Sequence, residues 1–174
     1  MSDSEKYLGK YRGLVVNNID PELRGRLLLS VPDVLGPVPS TWAEPCVPLA
    51  GPTGPSMGVY MVPPLGAGVW VEFENGDPDY PIWVGCRWGS PSDLPPLAHA
   101  GLPVSPNIVM QTAGQNAMVI SDLPGPTGGL MLKSATGATI IVNDTGIYIQ
   151  NGKGASLVMT GPTVTINNGA LVVS

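Results

Sequence analysis

The sequence predicts an all-β protein in two parts: a small barrel or sandwich, then a β-helix or solenoid of short strands. Three observations carry this. No stretch shows helical periodicity, while apolar and polar residues alternate over short runs. Gly and Pro, 23 and 20 of the 174 residues, punctuate those runs as turns. Residues 137–168 repeat themselves when shifted by seventeen positions.

In that repeat Gly137 falls on Gly154, Ile140 on Leu157, Val142 on Met159, Ile147 on Val164, Ile149 on Ile166 and Asn151 on Asn168. Each unit reads strand, turn, strand, turn. Period-two alternation places Ile140, Val142, Ile147, Ile149, Leu157, Met159, Val164 and Ile166 on one face. Thr139, Asn143, Tyr148, Gln150, Ser156, Thr160, Thr165 and Asn167 take the other. A weaker copy lies upstream, in Met118–Asp122 and Gly129–Lys133, around an insert at Leu123–Thr127 that is expected to protrude. A ribbon of short strands with no covering helix cannot bury an apolar face alone. Two or three repeats are close to the minimum for a free-standing solenoid. Identical ribbons from other chains are therefore expected to cover it. The eight apolar residues named first are the expected core of that assembly, and closing it removes the open edges of a low-charge sheet.

Upstream, residues 1–10 read as a loose polar arm. Tyr11–Asn18 and Gly25–Pro32 read as two antiparallel strands around the turn Asp20-Pro21-Glu22. Residues 33–41 read as loop. Thr41–Leu49 reads as an edge strand because of its prolines. Val59–Val62, Val69–Glu74 and Tyr80–Cys86 complete the strands, the last two joined by the tight turn Asn75-Gly76-Asp77. Five or six short strands over residues 11–88 suit a small barrel or sandwich. Residues 89–106 hold five prolines and read as an extended linker. Beyond it, residues 107–174 carry only Asp122, Lys133, Asp144 and Lys153 as charged side chains, and every Trp, Arg and Glu precedes residue 89. That shift marks the domain boundary.

Composition excludes several classes. With 43% hydrophobic and 12% charged residues the chain is not of disordered type. A net charge of −5 disfavours non-specific nucleic-acid binding. The opening residues lack the apolar core of a secretory signal, so synthesis in the cytoplasm is expected, and no run is long and apolar enough to span a bilayer. Cys46 and Cys86 read as buried free thiols.

The first part resembles the N-terminal barrel of the phage baseplate assembly protein V and VgrG-like spike family. The likeness runs through Gly13-Leu14-Val15, Asn18, Asp20-Pro21-Glu22, Gly25-Arg26-Leu27, Val31-Pro32 and Thr41-Trp42-Ala43. Its most specific stretch is Pro64 to Gly85, which reads PLGAGVWVEFENGDPDYPIWVG. The second part resembles the β-helical needle of the same family. The resemblance implies an oligonucleotide-binding-type (OB) barrel at 11–88 and a triple-stranded, intertwined β-helix at 107–174, assembled as a homotrimer. It implies a structural central spike of a contractile injection system or phage-tail-like baseplate, which pierces the target envelope when a sheath contracts. The implied partners are inner tube and baseplate proteins, a separate hub protein at the barrel end and a PAAR-type tip protein at the blunt end Val172-Val173-Ser174. The chain is expected to depart from some relatives in having no fused hub module, and it shows no lysozyme-like insert and no His-x-His ion motif.

No catalytic, cofactor or metal residues are expected. His99 is the only histidine and lies in the linker, where nothing holds a base in place. Glu72, Glu74, Asp77 and Asp79 crowd one turn, but without the ligand spacing of a calcium loop. Gly51–Gly58 lacks the Lys-Ser/Thr that follows a phosphate loop. Trp42, Trp70, Trp83 and Trp88 could stack on bases. Trp70, out of phase with Val69 and Val71, is expected to face a subunit or partner instead. Two rival functions remain at this point, a carbohydrate-binding β-helical fibre and an OB-type nucleic-acid binder. The needle has almost none of the acidic pairs or aromatic grooves the first needs. The negative charge opposes the second.

Overall fold

The computed structural model of the chain describes residues 5–51 and 54–173. The start of the expected arm (1–4), two positions of the Gly51–Gly58 loop (52–53) and Ser174 of the expected blunt end lie outside the described residues. Strands build both of its units, Met1–Pro91 and Ser92–Ser174.

In the first unit, β1 (Tyr11–Asn17), β2 (Leu28–Ser30), β3 (Glu44–Pro45), β4 (Gly68–Phe73) and β5 (Pro81–Arg87) form one sheet in the order β2-β1-β4-β5-β3. β3 runs parallel to β5, and the other neighbours are antiparallel. Just ahead of β2 and β3, Leu27 and Ala43 exchange both backbone hydrogen bonds, at 3.1 and 2.8 Å. The two outer strands thus meet and the sheet curls round on itself, which limits its open edge. Alternation turns Val15, Leu29, Val69, Val71 and Phe73 inward, where they pack with Leu27, Val31 and Trp83. The Trp83 ring is buried and satisfied, its Nε1 donating to the Gly25 carbonyl at 3.1 Å.

Three local expectations change. Residues 33–41 include a helical turn, α1 (Pro32–Leu35), because Pro32 sits at the first helical position and Gly36 takes φ 60° at its end. The expected strand Thr41–Leu49 shrinks to the bridge at Ala43 and β3, as Pro45 and Pro48 cannot donate to a ladder. Val59–Val62 forms no strand. Its one ladder-like contact is Val59 N to Leu49 O at 3.0 Å, and Pro63-Pro64 stop further pairing. At the other end of the chain's first unit, residues 5–10 lie along the barrel and are not loose. Tyr7 N donates to Gly76 O at 2.9 Å, its ring packs edge-on to Phe73, and Lys10 pairs with Glu72.

The second unit holds β6 (Ile108–Gln111), β7 (Ala117–Ser121), β8 (Gly129–Lys133), β9 (Thr139–Asn143), β10 (Gly146–Gln150), β11 (Ser156–Thr160), β12 (Thr163–Ile166) and β13 (Leu171–Val173). They form one antiparallel sheet in strict chain order. Gly129 and Gly146, at matching places in the repeat, let a neighbouring backbone come close. A Cβ on Gly129, at φ 83°, would lie 2.0 Å from Val142 O, and one on Gly146 would lie 2.2 Å from Met159 O. The expected linker is partly folded, with helical turns at Pro91–Asp93 and Pro96–Ala100. Asn107 Nδ2 ties the second turn down by donating to Leu97 O at 2.8 Å. Leu97 and Ala100 line a cleft of about 310 Å³ over the back of the sheet, beside buried Val119. The insert does not stand free either. Gly125 N donates to Asp144 Oδ2 at 3.1 Å, and Asn143 Nδ2 donates to Pro126 O at 3.2 Å.

Because all four tryptophans lie in the first unit, tryptophan emission reads the barrel alone. Leu29→Ala should lower barrel stability by about 2–5 kcal/mol in a urea titration followed by that emission. Gly129→Ala should leave the barrel transition unchanged and destabilise the β8–β9 pair by more than about 1 kcal/mol, seen as faster amide exchange in both strands.

Candidate assembly surface

Register converts the alternation of eight strands into two continuous apolar ladders. The first runs Met110, Met118, Leu132, Ile140, Ile149, Leu157, Ile166 and Leu171, each directly opposite the next. The second runs Ile108, Ile120, Leu130, Val142, Ile147, Met159, Val164 and Val173. Neither ladder contains a polar residue. The eight residues singled out from the sequence are the consecutive positions contributed by β9 to β12. Ile140, Val142 and Ile149 are 43%, 40% and 40% exposed, and Ile147, Leu157, Met159, Val164 and Ile166 are half-buried. In one chain, then, the apolar face is uncovered. A groove of about 640 Å³ beside it is lined by Leu132, Ile140 and Ile149, with Ser134 and Asn151 at the hairpin ends. The opposite face carries Thr139, Asn143, Tyr148, Ser156 and Thr165, with half-buried Ile141 and Val158 among them. Asparagines fix the turns. Asn143 Oδ1 accepts from Thr145 N and Gly146 N, and Asn151 Oδ1 accepts from Lys153 N and Ala155 N.

The barrel contributes a second ordered feature, which sequence reading found only as a turn. Asp20 is buried, and its carboxylate accepts from Glu22 N, Arg24 N and Arg26 N at 3.0, 2.8 and 3.2 Å. It also accepts from Arg26 Nε and Nη2 at 3.1 and 2.7 Å. The Arg26 guanidinium foremost, then the three amides, hold the Asp20 carboxyl far below the ordinary carboxylate range against the opposing effect of burial. Arg26 also lies 5.6 Å from the Trp42 ring centre. Arg24 bridges Glu22 and Glu44 at 3.0 and 2.8 Å. The available signal was the spacing of Asp20 to Gly25-Arg26, a short polar side chain placed to cap its own turn.

The other candidates disperse. His99 is exposed in the helical turn Pro96–Ala100. Glu72 pairs with Lys10, and Asp77 accepts from Asp79 N at 3.0 Å within its own turn. Among the described residues no group of three or more His, Cys, Asp or Glu is placed to hold a metal. Cys46 and Cys86 are free and exposed, contrary to the buried placement expected of them. Cys86 stands opposite buried Val69, one residue from the end of β5, and Cys46 follows β3. Trp70 is half-buried on the outer side of the sheet, out of phase with buried Val69 and Val71. Trp83 is core and Trp88 is 63% exposed, so the four indoles form no common platform.

The comparisons agree with this division. Residues 11–88 match a family model described as the type VI secretion system/phage-baseplate injector OB domain. Residues 107–172 match one described as the phage baseplate V C-terminal trimerisation domain. A search of the curated proteins found no match. An injector-type OB barrel followed by a trimerisation domain defines a structural component of a tail-like baseplate. The chain belongs to the phage baseplate V family, whose two domain models together leave out only residues 1–10, 89–106 and 173–174.

Asp20 supplies a test of the barrel loop. A carboxyl whose folded pKa is depressed contributes stability above its unfolded pKa, and loses it as pH falls toward the folded value. Asp20→Asn should lower the tryptophan-detected midpoint at neutral pH by roughly 5 °C or more. The gap between the two proteins should narrow below about pH 4, the unfolded carboxylate range.

Proposed function

We propose that three copies of the chain close their uncovered faces around one axis as a triple-stranded β-helix. The trimer then acts as the central spike of a contractile injection system or phage-tail-like baseplate. The observation that carries this reading is the pair of apolar ladders, which cross every strand of the matched trimerisation domain and have no cover within one chain. Ile140, Val142, Ile147, Ile149, Leu157, Met159, Val164 and Ile166 fill the interior. Polar and Thr-rich residues face out.

The role is mechanical and not enzymatic. Every strand of a ribbon is hydrogen-bonded to its neighbours along the axis, so axial load falls on many bonds at once. Three chains must part before the core opens, which favours high kinetic stability. Such a body suits driving through an envelope when a sheath contracts. The barrels would meet the hub and inner tube. The outer edge of β13, which has no partner strand among the described residues, would carry a tip protein of the PAAR type.

The native mass should be three times 18.0 kDa and should persist on heating in mild detergent. Ile149→Asp places three carboxylates near one axis, at a cost of several kcal/mol each. That variant should run as a monomer, and a heat-resistant Ile149→Asp trimer would remove Ile149 from the interior. In the same preparation peroxide should spare Met110, Met118 and Met159, which the single chain leaves exposed or half-buried, until the trimer is dissociated.

A further inference from the structure

An apolar surface also lies outside the ladders. At one end of the barrel, Ile19, Leu23, Tyr60, Met61 and Leu65 are 79%, 84%, 73%, 61% and 61% exposed. They come from two segments, 18–24 and 58–65, which the fold ties together. Asn18 Nδ2 donates to Pro63 O at 3.0 Å, and Gly66 N donates to Val15 O at 2.9 Å. Gly25 leaves room for the Tyr60 ring and Val62, which would stand 3.4 and 3.3 Å from a Cβ placed there.

The first segment is held rigid by the five bonds to Asp20. Leu23 takes φ 57°, a left-handed conformation unfavourable for leucine, and its side chain still points to solvent. The charges nearby pair with one another, as Arg26–Asp20, Arg26–Glu22, Arg24–Glu22 and Arg24–Glu44. An apolar centre with a self-paired polar rim has the anatomy of a protein interface, and rigidity lowers the cost of binding there.

The chain itself points to the occupant. Leu14 on β1 lies opposite Gly68 on β4, and Gly68 lies opposite Arg87. β5 therefore ends at the same end of the barrel as loop 18–24, and from there the chain continues toward the trimerisation domain. Three barrels carried on one trimer are held at a local concentration on the order of millimolar. Even a weak apolar contact between them then forms in preference to one with a free partner. We propose that this end of the barrel, residues 18–24 with 58–65, is the surface through which each barrel packs on the barrel of a neighbouring copy. This rests on the trimeric reading above.

The test places a photoreactive benzophenone amino acid at position 23 of the full chain. Trimers are assembled from mixed unlabelled and ¹⁵N-labelled chains, and native mass is measured on the same sample. The expected result is a light–heavy cross-link from position 23 into residues 11–88 of another chain. A trimer that gives no interchain cross-link, or only cross-links into residues 107–173, overturns the barrel contact and leaves the spike reading standing. A monomeric mass overturns both. As a second variant, Leu23→Gly accepts φ 57° without strain and keeps the barrel foldable. With the photoreactive group moved to position 60, it should cut the interchain yield at least about threefold. An unchanged yield counts against the contact.

Discussion

Everything in the second unit follows from an apolar face that one chain cannot cover. Sixteen side chains stand in two unbroken rows over eight strands, and the sheet's other side is already partly occupied by Leu97, Ala100 and the insert. Water-exposed apolar area on that scale is unfavourable in proportion to its extent. The face therefore specifies association as strongly as a buried core specifies a fold. The choice of aliphatic residues and methionine, with no buried polar group along either row, suits packing around an axis where no hydrogen-bond partner is at hand.

The barrel obeys a different constraint. Its sheet has its own buried core and curls until its outer strands meet at Leu27 and Ala43. Its one buried charge among the described residues serves geometry: Asp20 shapes a turn that no ladder supports, and Arg26 offsets the cost of burying it. Such a pair fixes shape more than it adds stability. Loop 18–24 accordingly keeps its form while presenting apolar tips.

Legibility from sequence varied with how local the cause was. The repeat, the face shared by Ile140 through Ile166 and the inward residues Val69, Val71 and Phe73 all follow from period-two alternation, which neighbouring residues determine. The short β3, the missing strand at Val59–Val62 and α1 were misread because proline acts on pairing partners and cap positions that lie outside a local window. The placement of residues 5–10 and of the insert depends on a few long-range contacts, among them Tyr7 to Gly76 and Gly125 to Asp144. Composition gives no sign of these. The exposed cysteines ran against a base expectation about residue type: Cys86 shares the face of buried Val69 but lies at the end of β5, where the core no longer covers it. The Asp20 network was within reach, since its partners lie within six residues.

The tied insert has a consequence for alignment between chains. A ribbon of uniform seventeen-residue period could pair with identical neighbours one full unit out of step and still match aliphatic to aliphatic along most of its length. Leu123 to Gly128 breaks that uniformity, and its bonds to Asn143 and Asp144 make the break rigid. A displaced chain would set this wedge against a plain Asp-Thr or Gly-Pro turn. In the proposed trimer one irregular loop would thus act as a key, allowing a sequence that is nearly self-similar to settle in a single phase.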